Sequence, residues 1–187
     1  MKLIETKNYD ELSRVAADML ISEIKAKPDC VLGLATGSTP IGTYDKLIEA
    51  YKSNEVSFAK VKSINLDEYV GISWSNTESY RYFMNEHLFD HVDIDKTNTH
   101  VPNGLAGDLD EECARYDALY DQIGPVDIQV LGIGLNGHIG FNEPGTSLSA
   151  PTHIVKLSDS TRQANSRNFT SLDAVPYKAI TLGMAGI

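Results

Sequence analysis

Leu131-Gly132-Ile133-Gly134-Leu135-Asn136-Gly137-His138-Ile139-Gly140-Phe141-Asn142-Glu143-Pro144 is the stretch on which the reading of this chain turns. A mainly apolar run from Ile128 to Ile133 feeds into three closely spaced glycines. That pattern predicts a buried strand ending in a tight turn. Asn136, His138, Asn142 and Glu143 follow at once. An amide, an imidazole and a carboxylate within eight positions suit the reactive edge of an enzyme better than a structural loop. Residues 132–137 also match the spacing of the dinucleotide fingerprint, but that fingerprint needs a helix to open immediately, and Pro144-Gly145 breaks the chain. Asp159 lies about the right distance on, yet falls beyond another strand-like stretch. A metal site competes for His138 and Glu143, without a His-Glu-x-x-His helix or an obvious third ligand.

Outward from this stretch, apolar residues alternate between helical and strand spacing. Leu12, Val15, Ala16, Met19, Leu20 and Ile24 predict a helix over 10–27, closed by Pro28. Residues 30–35 read as a strand running into Thr36-Gly37-Ser38-Thr39-Pro40, and Pro40 suits the first position of a new helix. A second strand is expected over 61–66, ending in Asp67-Glu68-Tyr69. Ser75-Asn76-Thr77-Glu78 has capping-box spacing and predicts the start of a helix carrying Tyr80, Phe83, Met84, His87 and Leu88. Another helix is expected over 108–122, using Leu109, Cys113, Tyr116, Leu119 and Tyr120. Strands at 153–157 and 180–184 and a polar helix over 158–169 complete the pattern. Strands alternating with helices imply βαβ units, hence a three-layer, Rossmann-like α/β fold with a mostly parallel sheet and helices on both faces. The 187 residues suit one domain, and the chain stops where a crossover helix would begin.

A net charge of -10 argues against nucleic acid and anionic membrane as partners, since those need basic patches. It leaves room for a small anionic ligand held by a local site. Cys30 and Cys113 have no paired spacing, so neither a disulfide framework nor a zinc site is expected. With no signal peptide and no apolar run of spanning length, the expected location is the cytoplasm.

In open parallel sheets ligands bind beyond the carboxyl ends of the strands. Three such ends here are polar: Thr36 to Thr39, Asp67-Glu68, and Asn136 to His138. Thr36, Gly37, Ser38 and Thr39 before a helix offer amides, hydroxyls and a dipole, a phosphate cradle. The competing reading is that Ser38 or Thr39 only caps the helix. A nucleotide P-loop does not fit, because Gly37 to Thr43 has the glycine spacing without the lysine. Asp67, desolvated in a crevice, would have a raised pKa and serve as a proton-transfer base; alternatively it caps a turn before Gly71. Asp67 and Glu68 would face opposite ways on a strand. His138 and Glu143 read as an imidazole with an orienting carboxylate. Arg162 and Arg167 are the candidate anion-binding cations, a solvated face fitting Arg162 better than Arg167. No serine or cysteine sits in a nucleophile elbow, so the expected chemistry is acid–base without a covalent nucleophile.

Residues 34–40, 63–69, 132–144 and 164–167 together resemble the glucosamine-6-phosphate deaminase family, in the family's order and over the whole chain. The related 6-phosphogluconolactonases share the architecture; a lactonase or a non-catalytic sugar-phosphate sensor are the rival readings. The resemblance implies conversion of glucosamine 6-phosphate and water to fructose 6-phosphate and ammonia, without metal or cofactor. It implies that His138, supported by Asn136 and Glu143, opens the sugar ring and that Asp67 moves the C2 proton. It places the phosphate on Gly37, Ser38 and Thr39, with Arg167 closing over it. Many members carry aspartate at the position of Asn136. Regulated hexameric members use basic residues at the positions of His153 and Val155, so a monomer or small homo-oligomer is expected. The family continues beyond residue 187 with another strand and helices.

Overall fold

The computed structural model describes residues 2–134, 136–166 and 169–187. Its elements are α1 (Tyr9–Ala26), β1 (Val31–Leu34), α2 (Ile41–Lys52), β2 (Lys62–Asn65), β3 (Asp67–Tyr69), α3 (Tyr80–His87), β4 (Thr99–His100), α4 (Leu109–Ile123), β5 (Ile128–Gln129), β6 (His153–Lys156), α5 (Asp159–Asn165) and β7 (Lys178–Thr181). Four of the strands form a parallel sheet in the order β4-β2-β1-β5.

Side-chain alternation along β1 decides which helix covers which face. Leu32 and Leu34 pack with Leu20 and Ile24 of α1, Tyr44 and Leu47 of α2 and Met84 of α3. Val31 points the other way, joining Ile64, Leu66 and Tyr116 of α4. Helices therefore cover both faces of a parallel sheet, as the alternating pattern predicts.

The strands at residues 67–69, 153–156 and 178–181 do not extend that sheet. They form a separate three-stranded antiparallel sheet, β3-β7-β6, with Asp67 opposite Thr181 and His153 opposite the same Thr181. β7 is thus the middle strand of an antiparallel sheet and not a further strand of the parallel one. Asp67 likewise does not end the second parallel strand. The chain leaves one sheet at Asn65 and enters the other at Asp67, with only Leu66 between.

The central run behaves differently from expectation as well. Only Ile128 and Gln129 pair with β1, at the sheet edge, while Leu131 is 40% and Ile133 78% exposed. The run is apolar but is not a buried strand along its length.

α3 starts later than the capping-box spacing predicts. Its N-cap is Ser79, whose hydroxyl accepts the Tyr82 N–H at 3.0 Å. Asn76 instead serves a preceding turn, accepting the Glu78 N–H. The carboxylate that takes the first helical amides comes from β3. Glu68 accepts N–H bonds from Tyr80 at 2.9 Å and Arg81 at 3.1 Å.

Tyr116, fully buried in α4, donates its hydroxyl to the Asn65 carbonyl at 2.7 Å and lies 3.2 Å from that of His100. It ties the ends of β2 and β4 just before the chain turns into β3. Tyr116→Phe should therefore destabilise by about 1–3 kcal/mol, because the Asn65 carbonyl keeps its burial and loses its donor. Urea unfolding of both proteins measures this; an unchanged midpoint would show that water replaces the hydroxyl.

Candidate active site

The polar ends of β1 and the β5 loop and the start of β3 open on one cleft of about 560 Å³. Thr36, Gly37, Ser38 and Thr39 line one side, Asp67 the floor, and Asn136 and His138 the other side. The cleft thus collects residues from the loops after β1 and β5 of the parallel sheet and from the first residue of β3 in the antiparallel one. Among the described residues that line it there is no lysine or arginine. Arg167 lies outside the described residues.

Asp67 is 8% exposed, and burial pushes its carboxyl up to about 7, with the charge of neighbouring Glu68 adding to the rise. No hydrogen bond from a described residue counters this. A carboxylate that is desolvated and unpaired, yet faces a cleft, is poised to exchange a proton near neutral pH. Glu68, on the opposite face of β3, is fully buried and points into the start of α3. Burial pushes its carboxyl up against the three backbone N–H bonds it accepts, from Tyr69, Tyr80 and Arg81. One acid is thus left open to the cleft while its neighbour is spent on the helix.

The imidazole is oriented by a relay. His138 Nδ1 lies 2.7 Å from Asn136 Oδ1, and Asn136 Nδ2 donates to Glu143 Oε2 at 2.6 Å. A carboxylate accepts and cannot donate, so the amide must turn its NH2 to Glu143 and its oxygen to the ring. That oxygen in turn requires the proton on Nδ1, leaving Nε2 as the acceptor. Glu143 therefore reaches His138 only through Asn136, which corrects the direct imidazole–carboxylate pairing expected from the sequence. Glu143 itself does not line the cleft.

Several positioning groups were not legible beforehand. Asn142 is 3% exposed and donates its amide to the carbonyls of Ile139 and Leu182, at 3.1 and 2.9 Å. The Phe141 N–H donates to Thr181 Oγ1 at 3.2 Å. These bonds hold the His138 loop against β7, beside Asp67. Gly140, at φ +58°, makes the fit possible: a Cβ there would lie 3.1 Å from Thr181 Oγ1 and 3.4 Å from Asp67 Oδ2. Tyr80 stacks on Phe141 at 6.3 Å between ring centres, and both line the cleft. Ser160, Thr161 and Asn165 of α5 close its far side, Asn165 donating to the Tyr69 hydroxyl at 2.8 Å. The sequence signal for these three residues is the polar face of α5 itself.

Arg162 is corrected too. It is only 6% exposed, donates to the carbonyls of Leu172 and Val175, and lies 3.7 Å above the Tyr177 ring. It secures the segment leading to β7 and is not a solvated face. At the cradle, the competing capping reading fails, because the N-cap of α2 is Pro40, whose side chain makes no capping bond, and neither Ser38 nor Thr39 holds that position. Among the described residues no group of three His, Cys, Asp or Glu side chains is arranged to hold a metal ion, and no helix is long and apolar enough to cross a membrane.

A parallel α/β sheet with a buried carboxylate, an oriented imidazole and an amide-rich loop at its strand ends is the framework of a sugar-phosphate enzyme. The chain belongs to the family of glucosamine-6-phosphate isomerases and 6-phosphogluconolactonases, whose model matches residues 5–175. It is 57% identical to a glucosamine-6-phosphate deaminase of Geobacillus sp. (strain WCH70), over all of this chain and 74% of that relative. It is 58% identical to one from Clostridium perfringens (strain SM101 / Type A), over all of this chain and 77% of the relative. The solved structure of a monomeric glucosamine-6-phosphate deaminase superposes with a TM-score of 0.98 at 51% identity, covering all of this chain and 78% of that one. A 6-phosphogluconolactonase from Thermotoga maritima shares the fold, with a TM-score of 0.71 at 18% identity, over 97% of this chain and 76% of the other.

Proposed function

We propose that the protein is a glucosamine-6-phosphate deaminase, converting glucosamine 6-phosphate and water to fructose 6-phosphate and ammonia. The observation that carries the reading is one cleft lined together by His138, by the Thr36–Thr39 strand end and by a buried Asp67 that has no hydrogen-bond partner among the described residues. High identity to named deaminases over the full chain supports the same reading.

In this mechanism the phosphate rests on Gly37, Ser38 and Thr39, and Arg167 is assigned to it from the motif alone. His138 Nε2 takes the proton of the anomeric hydroxyl and returns it to the ring oxygen, which breaks the C1–O5 bond and frees the aldehyde. Asn136 and Glu143 hold the ring in the tautomer that can do so. Asp67 removes the C2 proton of the ammonium form, the ammonium gives a proton to O1 so that an enolamine forms, and Asp67 returns its proton to C1, leaving an iminium at C2. Water adds to that carbon and ammonia leaves, so the net step is a hydrolytic deamination coupled to aldose–ketose isomerisation. No covalent link to the protein forms. Likeness to a monomeric deaminase of known structure supports a monomeric or small homo-oligomeric enzyme.

The family contains a second activity, so the test must separate the two. Ammonia release from glucosamine 6-phosphate should proceed with a turnover on the order of 1–10³ per second. 6-Phosphogluconolactone should hydrolyse no faster than in buffer. Lactone turnover without ammonia release would overturn the reading in favour of a lactonase. Tight binding of glucosamine 6-phosphate with neither product would point to a sensor.

A further inference from the structure

We infer that Tyr9, at the start of α1, is a positioning residue for the phosphate cradle: its hydroxyl caps α2 and thereby leaves the cradle's own hydroxyls for the ligand. This rests on the assignment of the phosphate to Thr36–Thr39. Helices that follow a strand usually begin with a Ser, Thr, Asp or Asn whose side chain takes an amide of the first turn. Here the N-cap is Pro40, which contributes no side-chain bond. Ser38 and Thr39 stand immediately before it, and their hydroxyls make no hydrogen bond with any described residue.

The cap comes from another helix. Tyr9 Oη accepts the Gly42 N–H at 2.9 Å and, as a donor, lies 2.9 Å from the Thr39 carbonyl and 3.2 Å from that of Ser38. One hydroxyl therefore satisfies an amide of the first turn and holds the two cradle carbonyls facing away from the cleft. Gly42 allows this approach, since a Cβ there would stand 2.5 Å from Ser13 Oγ and 3.0 Å from Tyr9 Cε1. At the cradle's other end Tyr44 donates its hydroxyl to the Ala35 carbonyl. The turn is thus anchored at both ends by tyrosines that never enter the cleft. With the Ser38 and Thr39 carbonyls taken up by Tyr9 and their hydroxyls uncommitted, the turn keeps amides and hydroxyls free to donate, as a phosphate requires.

The test uses glucitol 6-phosphate, which keeps the phosphate and has no anomeric carbon to react. Calorimetric dissociation constants would be measured for the unmodified protein, Tyr9→Phe, Ser38→Ala and Asn8→Ala, with kcat and KM for glucosamine 6-phosphate beside them. Asn8 caps α1 by accepting the Glu11 N–H at 2.9 Å, so its loss disturbs the same helix end without touching Gly42. Tyr9→Phe should weaken the analogue by about fivefold, the scale of one lost hydrogen bond, and raise KM in parallel while kcat stays within about twofold. Ser38→Ala should weaken it as well, and Asn8→Ala should not. Weakening by Ser38→Ala with none by Tyr9→Phe would overturn the role of Tyr9 and leave the cradle standing. No effect of Ser38→Ala would instead remove the phosphate from this strand end, and the role of Tyr9 with it. An equal fall of kcat in Tyr9→Phe, or equal weakening by Asn8→Ala, would mean that the hydroxyl serves general stability only.

Discussion

Asp67→Asn is expected to cost about 10³-fold or more in kcat for ammonia release, the scale of a positioned general base. The same substitution should make the protein more stable at alkaline pH, and the opposite signs give the experiment its force. In the folded protein burial holds the Asp67 carboxyl up from 3.8 to about 7. The folded state therefore keeps a proton that the unfolded chain has already lost. The associated stability is fully present below the unfolded value and is lost as pH rises through about 7. At pH ~8 the protein carries an uncompensated buried charge that asparagine does not, so the variant should need more urea to unfold there, with the advantage vanishing toward pH ~4. For the reaction the sign reverses, because a base must be unprotonated. The rate of the unmodified protein should fall as pH drops below about 7, and that limb should be missing from the residual activity of the variant. Retention of activity in Asp67→Asn would remove Asp67 from the chemistry. Loss of activity together with loss of stability would mean only that the site had collapsed.

Local periodicity carried the reading of the parallel half of the fold, because helices and strands there are bounded by their own caps, glycines and prolines. α1 ends next to Pro28, and β1 runs into the Gly37 turn. The antiparallel sheet was not legible for a specific reason. Residues 61–69 look like one strand, and the step from β2 to β3 is made by a single residue, Leu66, whose apolarity signals nothing. What separates the two is pairing with Thr181, Ile180 and Ala179, far along the chain. α3 failed in the same way. Its capping carboxylate is Glu68, eleven positions before Ser79 and on another element, so no local spacing can announce it.

The site shows the same division. The Thr36–Thr39 turn, Asp67 and His138 each follow an apolar run, and such runs can be found from the sequence pattern even where, as before Asp67 and His138, the strand itself stops short. The alternation of β3 also predicted that Asp67 and Glu68 would part company, and they do: one lines the cleft and the other caps a helix. The relay through Asn136 could not be read, because Asn136 and Glu143 meet only when Gly137 and Gly140, both at positive φ, fold the loop back on itself. The roles of Asn142, already part of the polar cluster, and of Thr181 were hidden by similar logic, since each bonds backbone some forty positions away.

His138→Gln separates ring opening from the later proton transfers. Glutamine can fill the space and hydrogen-bond, but cannot take and return a proton at the anomeric oxygen. On glucosamine 6-phosphate the substitution should cost about 10²-fold in kcat/KM, within the range for one acid–base group. The loss has a floor, because the free sugar opens slowly in water and supplies some aldehyde without the imidazole. A substrate lacking both the 4- and the 5-hydroxyl can close neither a furanose nor a pyranose ring and arrives already open. On 4,5-dideoxyglucosamine 6-phosphate the variant should lose less than about tenfold, whereas Asp67→Asn should lose as much as on the natural sugar. Asn136→Leu should imitate His138→Gln in milder form: the ring remains, but Nδ1 loses the oxygen 2.7 Å away that fixes its tautomer. Ammonia release measured on both sugars by all three variants gives a pattern that one misfolded site cannot produce. An equal loss of His138→Gln on the open and closed sugars would place His138 in the C2 chemistry beside Asp67 and leave ring opening to the solvent.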